Sequence, residues 1–249
     1  MADQNIKQII QEQYIKCSQD PIYFMRQFCY IQHPTKGKIK FDLYEFQEKS
    51  LNTLQNNRYN VILKSRQLGI STLSAGYALW SMIFNEDFNV LVIATTQDVA
   101  KNLVSKVQIM NEYLPSWLKT TITTNNKLSL TFKNGSQIKA ISSSSTGARS
   151  EALSLLIVDE AAFIRNIEEI WVASQATLST GGGAIVLSTP NGIGNWFHQI
   201  WVDAQNGING FETIKLDWKL HPERNQKWRE DQTKLLGERG AAQECDCDF

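Results

Sequence analysis

Two short segments of this chain carry the residue types that phosphate chemistry needs. Residues 64–72 read KSRQLGIST, and they stand between a run of β-forming residues at 58–64 and an apolar stretch at 73–84. A strand, a tight turn and a helix in this order leave N–H groups at the helix N-terminus free to bind phosphate oxygens. Residues 154–160 read SLLIVDE, an apolar run typical of a buried parallel strand, which ends in two carboxylates. Together they predict a nucleotide site at the carboxyl edge of a parallel sheet.

The loop departs from the usual phosphate-loop pattern, GxxxxGK[ST]. Gly69 takes the second glycine and Ser71 the hydroxyl position, where it is placed to coordinate magnesium. Lys64 stands in place of the first glycine and Ile70 in place of the lysine. The charge for the γ-phosphate must therefore come from Lys64, as a mobile point charge, or from Arg66, as a bidentate donor. The alternative is a basic strand end followed by an ordinary helix cap, and this segment alone leaves both open.

The acidic pair favours the nucleotide interpretation. Asp159 could hold magnesium directly or through water, and Glu160 could orient and deprotonate the attacking water. The alternative is that the pair caps a helix that begins at Ala161. An apolar run followed by Asp-Glu is common by chance, but its combination with the upstream loop predicts an ATP-hydrolysing core.

The motifs together resemble the ATPase domain of the large terminase subunit of tailed phages, most closely its T4-like branch. The resemblance is carried by SRQLG at 65–69, VDEA at 158–161 and LSTPNG at 187–192, which follow the family order. It extends from about residue 41 to the last residue, and it implies ATP and Mg²⁺ as cofactors, with Ser71 and Asp159 holding the metal. The nucleotide-binding residues that it implies are Gln47, Lys64, Ser65, Arg66, Gln67, Leu68, Gly69, Ile70, Ser71 and Thr72.

Residues 41–47, FDLYEFQ, resemble the adenine-recognition motif of this family. The Gln47 amide, which both donates and accepts hydrogen bonds, would read the adenine edge. Tyr44 or Phe46 would stack on the base. The alternative is a surface glutamine beside core aromatics.

Ser188 and Thr189 follow a predicted buried strand at 183–187 and resemble the coupling motif of the family. Their hydroxyls would sense the state of the γ-phosphate and relay it to the parts that contact DNA. The alternative is an ordinary turn, because Ser-Thr-Pro sequences frequently end strands.

Three residues are predicted to act in catalysis: Glu160 on the water, and Arg66 and Arg149 on the transition state. Arg149 follows the polar stretch SSSSTGA at 142–148, so it is expected on a loop. In some members of the family an arginine at this place reaches the ATP of a neighbouring subunit, and the arginine of the phosphate loop, here Arg66, is also argued to act within its own subunit. A solvated loop arginine or a contact to the DNA backbone is the alternative for Arg149.

Composition limits the function classes without selecting one. The chain has 249 residues, 42% apolar and 20% charged, which is ordinary for a soluble globular protein. Lys+Arg and Asp+Glu are balanced at 25 each, so there is no general nucleic-acid signature. No apolar run reaches the ~18 residues of a membrane span. The cysteines lack zinc-ligand spacing and are expected to be reduced thiols of a cytosolic protein: Cys17, Cys29, Cys245 and Cys247.

Strands alternating with helices predict an α/β fold, a doubly wound and mainly parallel sheet. The resemblance specifies the P-loop type, ASCE or RecA-like, with a small helical N-terminal subdomain. The expected divisions are a helical arm at 1–40, an ATPase core at 41–210 and a strand–helix segment at 211–249. Beyond the central strands, Asn134-Gly135 predicts a hairpin, residues 32–38 a loop, and residues 222–236 a helix.

The resemblance implies the motor of viral DNA packaging, which hydrolyses ATP to move double-stranded DNA into a procapsid. The implied partners are DNA, the portal protein and the small terminase subunit. A homo-oligomeric ring is expected on assembly and a monomer in isolation, in the host cytoplasm and without a membrane. Since the chain stops where a nuclease domain would begin, we expect no DNA cleavage. A helicase-like ATPase and a non-hydrolysing assembly subunit, decayed at Ile70, stay open as alternatives.

Overall fold

The computed structural model describes residues 2–33, 35–142 and 152–249. Ten strands are described: β1 Tyr30–His33, β2 Gly37–Lys40, β3 Tyr59–Lys64, β4 Asn89–Ala94, β5 Ile122–Asn126, β6 Ser129–Phe132, β7 Gln137–Ser142, β8 Leu155–Asp159, β9 Gly183–Ser188 and β10 Glu212–Leu216. The helices are α1 Ala2–Gln19, α2 Pro21–Phe28, α3 Glu45–Asn56, α4 Ile70–Phe84, α5 Gln97–Tyr113, α6 Ile167–Leu178, α7 Trp196–Gln205 and α8 Gln226–Ala241. A π-helical turn, Ala242–Asp246, follows α8.

Eight strands form one sheet in the order β10-β3-β9-β8-β4-β7-β6-β5. The first six are parallel to one another, while β6 and β5 are antiparallel additions at one edge. The central strands are nearly continuous apolar runs because both faces of the sheet are covered by helices. The predicted α/β fold with a mainly parallel sheet is therefore confirmed.

Alternate residues of each strand point into two separate cores, one on each face of the sheet. Ile62 of β3 joins a core that includes α2, α3, α4 and α5, whereas Val61 and Leu63 join a core with α6 and α7. The parallel arrangement brings the carboxyl ends of β3, β9 and β8 side by side at one edge. Residues that directly follow these three strands are consequently neighbours in space.

The N-terminal part contains more strand than its sequence predicts. The expected loop at 32–38 is mostly a two-stranded antiparallel sheet in which Tyr30 pairs with Lys40 and His33 with Gly37. Gly37 has a φ of 66°, which allows the tight reversal between the strands. The turn residues dominated the sequence pattern and concealed the short alternating strands on either side of them.

The hairpin predicted at Asn134-Gly135 is confirmed by the antiparallel pairing of β6 and β7, whereas β5 beyond it was not predicted. Helix α8 begins later than predicted, after the cap residue Asn225, whose side chain accepts a hydrogen bond from the Trp228 N–H. All four cysteines are free and buried. In the described part of the chain no helix is both long and apolar enough to cross a membrane.

Candidate functional site

The loop between β3 and α4 lies at the carboxyl edge of the sheet. The β10 pairing continues one residue past the strand, because the Ser65 N–H donates to the Leu216 carbonyl at 2.7 Å. Gln67 and Gly69 then adopt left-handed conformations, with φ of 58° and 74°, before α4 begins at Ile70. The loop has the strand–turn–helix geometry that the sequence predicts.

Lys64 does not project into solvent from the end of its strand. Its side chain is only 6% exposed, and its Nζ lies 2.9 Å from Oε1 of Glu160, at the end of β8. An ammonium group this deeply buried is retained only when it is paired. The loop lysine and the acidic pair, separated by 96 positions in the chain, are thus one electrostatic unit.

Glu160 is held from a second side by the residues at the end of β9. The Ser188 hydroxyl is 3.5 Å and the Thr189 N–H 3.4 Å from Oε2 of Glu160. Ser188 Oγ also accepts a hydrogen bond from the Ala162 N–H at 3.1 Å. Glu160 itself is left-handed, with φ of 56°, a conformation that costs energy in a residue other than glycine.

The acidic pair does not cap an α-helix, which was the alternative role stated for it. Only a single 3₁₀ turn, Ala161–Phe163, follows Glu160, and the Glu160 side chain makes no capping hydrogen bond to it. The Glu160 carboxylate is turned instead toward Lys64 and the end of β9.

Asp159 is the most deeply buried carboxylate of the site, 5% exposed. Burial raises the pKa of Asp159, while the nearby Lys64 ammonium and a hydrogen bond from the Ser71 hydroxyl act in the opposite direction. Its Oδ1 has no hydrogen-bond partner among the described residues. A buried, unpaired carboxylate oxygen beside a hydroxyl is a donor set that suits a hard divalent cation such as Mg²⁺.

Gln47 is buried rather than on the surface, which removes the alternative stated for it. Its Nε2 donates to the Leu68 carbonyl at 3.0 Å, and its Oε1 accepts from the Tyr44 N–H at 3.1 Å. The amide nitrogen of Gln47 can donate one more hydrogen bond, and its amide oxygen can accept one more. Phe46 is buried and Tyr44, partly exposed, lies in parallel over it at 5.5 Å between ring centroids.

Arg66 is not brought into this cluster. Arg66 extends outward, its side chain is 71% exposed, and its Nη1 lies 3.3 Å from Oε2 of Glu244. Arg149 falls outside the described residues. Ile70, the residue in place of the usual lysine, is 2% exposed and belongs to the core under the sheet, while Thr72 is partly buried in the first turn of α4.

Two residues next to the loop were missed by reasoning from the sequence. Arg224, in the turn before α8, donates to the carbonyls of Arg66 and Gln67, at 3.0 and 3.2 Å. The Glu244 carbonyl accepts from the Arg66 N–H at 2.9 Å. No local pattern marks either one, because their relation to the loop arises only when β10 pairs with β3.

Comparison with known proteins agrees with this geometry. A family model described as terminase large subunit, T4likevirus-type, N-terminal, matches residues 61–249. The Mu-like prophage FluMu protein gp28 of Haemophilus influenzae is 34% identical over 88 residues, which are 34% of this chain and 17% of that protein.

Solved structures show the same fold. The large terminase ATPase domain of Thermus phage P74-26 superposes with a TM-score of 0.68 at 23% identity, over 84% of this chain and 94% of that one. The large terminase of another thermophilic bacteriophage, solved in complex with ADP, has a TM-score of 0.67 at 13% identity and covers 83% of this chain. This chain spans 53% of that second protein. The family model covers most of this chain and describes the N-terminal part of the large subunit. The chain therefore belongs to the T4-type family of terminase large subunits.

Proposed function

We propose that this chain binds Mg-ATP between the 64–72 loop and the ends of β8 and β9, and hydrolyses it. The observation that carries the proposal is the convergence of Lys64, Glu160 and Ser188 at one edge of the sheet. A cation that can bind a phosphate and a carboxylate that can orient a water are two of the parts that phosphoryl transfer to water uses. The thermophilic-phage terminase that was solved with ADP has the same fold, which supports a nucleotide as the ligand.

Lys64 supplies the positive charge that Ile70 cannot. The Ile70 side chain is part of the core, so the usual lysine position faces away from any ligand. Lys64 lies at the strand end of the loop, where its ammonium group is paired with Glu160. Its flexible four-carbon side chain would let the ammonium group leave Glu160 and bind a phosphate oxygen instead. In this proposal the replacement at position 70 does not indicate a decayed site.

Ser71 and Asp159 would hold Mg²⁺. The Ser71 hydroxyl opposes the raised pKa of the Asp159 carboxyl. Oδ1 of Asp159 has no hydrogen-bond partner among the described residues and could bind a metal ion. When bound, the ion would neutralise charge on the nucleotide phosphates. It would also oppose the effect of burial on the pKa of Asp159, since a cation stabilises the ionised form.

Glu160 is proposed to orient the attacking water and accept its proton. Once Lys64 has turned toward a phosphate, Oε1 of Glu160 loses its ion-pair partner and can accept a hydrogen bond from water. The Ser188 hydroxyl and Thr189 N–H keep the carboxylate in place during this exchange. They are therefore suited to carry information on the nucleotide state to the segment that follows β9.

The catalytic arginine is proposed to act between subunits. Arg66 is on the outer side of the loop and bound to Glu244, so within its own subunit it would have to change conformation to reach a phosphate. After such a change Arg66 could contact the phosphates of its own subunit, whereas Arg149 is the candidate for a contact with the nucleotide of a neighbouring subunit.

Gln47 is proposed to recognise adenine through the hydrogen bonds that its side-chain amide can still make.

The wider function that we propose is DNA packaging: this unit would use ATP hydrolysis to translocate double-stranded DNA into a procapsid. The proposed partners are DNA, a portal protein, a small terminase subunit and further copies of this chain in a ring, in the host cytoplasm. The arm at 1–40, core at 41–210 and segment at 211–249 are proposed as its working divisions.

The test is steady-state ATP hydrolysis over a series of protein concentrations. Glu160→Gln should lower the rate by roughly two to four orders of magnitude, and Glu168→Gln, an exposed glutamate of α6, should not. A rate per subunit that rises with concentration would support an arginine acting in trans. If the chain does not bind Mg-ATP even at millimolar concentration, the proposal is wrong and the non-hydrolysing assembly subunit is favoured.

A further inference from the structure

Three successive carbonyl groups of the loop are bound from outside by two side chains. The Arg224 guanidinium donates through Nη2 to the carbonyl oxygens of Arg66 and Gln67, at 3.0 and 3.2 Å. Gln47 Nε2 donates to the next carbonyl, that of Leu68, at 3.0 Å. Arg224 also donates through Nη1 to the Ser65 hydroxyl at 3.3 Å.

These bonds determine where the N–H groups of the loop point. In a trans peptide the carbonyl and the following N–H point in opposite directions, and no cis peptide is present in the described residues. The N–H groups of Gln67, Leu68 and Gly69 therefore point away from the side chains that hold their carbonyls. Within the described residues these three N–H groups donate no hydrogen bond.

The backbone conformation agrees with a cradle for an anion. Gln67 and Gly69 have positive φ while the residues between and before them do not, an alternation that turns successive N–H groups toward one concave side. Gly69 is also needed for the contact with Gln47, because a Cβ at this position would lie 2.8 Å from Gln47 Nε2.

Arg224 is itself held in position. Its side chain is partly buried, and its guanidinium carbon lies 4.4 Å from the ring centroid of Trp228, one turn along the start of α8. Stacking on an aromatic ring and a planar fork of donors suit an arginine that must hold several acceptors at once. Its partners are carbonyls and a hydroxyl, so the residue has no counter-ion among these contacts.

We propose that Arg224 is a positioning residue of the nucleotide site, which fixes the loop carbonyls outward so that the N–H groups of 67–69 face the phosphates. The proposal rests on the proposed function, since it assigns a role in binding the nucleotide. It gives the segment before α8 a direct part in the site, although that segment is 157 residues further along the chain than Gln67.

The experiment compares binding of ADP and of pyrophosphate by calorimetry in the wild type, Arg224→Ala and Arg224→Lys. Arg224→Ala should weaken both ligands by the same factor, roughly tenfold, because pyrophosphate reports on the cradle alone. Arg224→Lys should restore only part of the affinity, since one ammonium group cannot bridge both carbonyls and the hydroxyl. An affinity of Arg224→Lys between those of the wild type and Arg224→Ala would show how much of the effect comes from the positive charge and how much from the planar set of donors.

Arg229→Ala is the matched control. Arg229 lies in α8, close to Arg224 in the chain, and binds Asp246 through two hydrogen bonds, without a contact to the loop. It should bind both ligands like the wild type. Equal affinity in Arg224→Ala and wild type, or an equal loss in Arg229→Ala, would overturn the inference. A wild type that binds neither ligand would instead refute the proposed function, and a loss for ADP without a loss for pyrophosphate would place Arg224 at the base.

Discussion

The ammonium group of Lys64 and the carboxylate of Glu160 lie 2.9 Å apart, across the end of the strand that separates them in the sheet. The lysine is almost fully buried and the glutamate partly exposed. The ion pair thus joins two side chains at a place where the loss of either partner would leave the other uncompensated. Without a nucleotide, the two candidate functional groups of opposite charge therefore bind each other.

This pair predicts a specific pattern in a double-mutant cycle. Lys64→Met leaves Glu160 without its partner and should lower the free energy of unfolding by about 2 kcal/mol. The double variant Lys64→Met/Glu160→Gln should recover most of this loss, because no unpaired charge remains. Urea unfolding measures the stabilities, and strictly additive effects would show that the pair does not couple. Both single variants and the double variant should lose hydrolysis.

The Ser188 hydroxyl predicts a loss of turnover without a loss of binding. Ser188→Ala removes the contacts to Glu160 and to the Ala162 N–H, so the carboxylate loses its orientation and kcat should fall roughly tenfold. The affinity for ADP should stay within a factor of about two. Ser174→Ala is the control, because that buried hydroxyl donates to Ile170 of its own helix. A KM effect larger than the kcat effect would contradict this role.

Replacing Ile70 by the lysine of the usual motif should harm the protein. The Ile70 side chain is 2% exposed within an apolar core, so Ile70→Lys would bury an unpaired charge. We expect a loss of stability of roughly 2–5 kcal/mol and no gain in hydrolysis. Ile70→Val, which removes one methylene group, should cost only about 1 kcal/mol. An Ile70→Lys variant that is stable and faster would show that position 70 faces the nucleotide.

Replacing Asp159 should make the metal-free protein more stable and should weaken its response to Mg-ADP. Its carboxylate is buried and its Oδ1 unpaired among the described residues, and burial raises its pKa, so its ionised form destabilises the metal-free protein at neutral pH. Asp159→Asn should therefore raise the thermal midpoint without metal, by roughly 2–4 °C if about 1 kcal/mol is gained. The same variant should lose the further stabilisation that Mg-ADP gives the wild type. A lower midpoint in EDTA would contradict the prediction.

The sequence predicts those parts of the fold and the site that depend on neighbouring residues, and it misses those that depend on contacts between residues far apart in the chain. The strands at 58–64, 154–158 and 183–187 were found because buried parallel strands are apolar throughout, and the loop because its glycine and hydroxyls stand at fixed offsets. Arg224 and Glu244 were not found, since each meets the loop only through the pairing of β10 with β3. The burial of Ile70 was also beyond reach, because apolar residues at a helix start face either the core or a ligand.

The parallel pairing at the carboxyl edge also sets a tolerance for change in length. Leu63 is level with Ser188, and Asp159 with Leu187, in the ladders that join β3, β9 and β8. Side chains alternate between the faces of a strand, so one residue inserted inside β9 would put Leu187 where Ser188 meets Glu160, and one residue deleted there would put Thr189 at that place. Single-residue insertions within these three strands should therefore abolish the function even where the protein folds. The same insertions in the turn between β5 and β6, at Lys127, should be accepted.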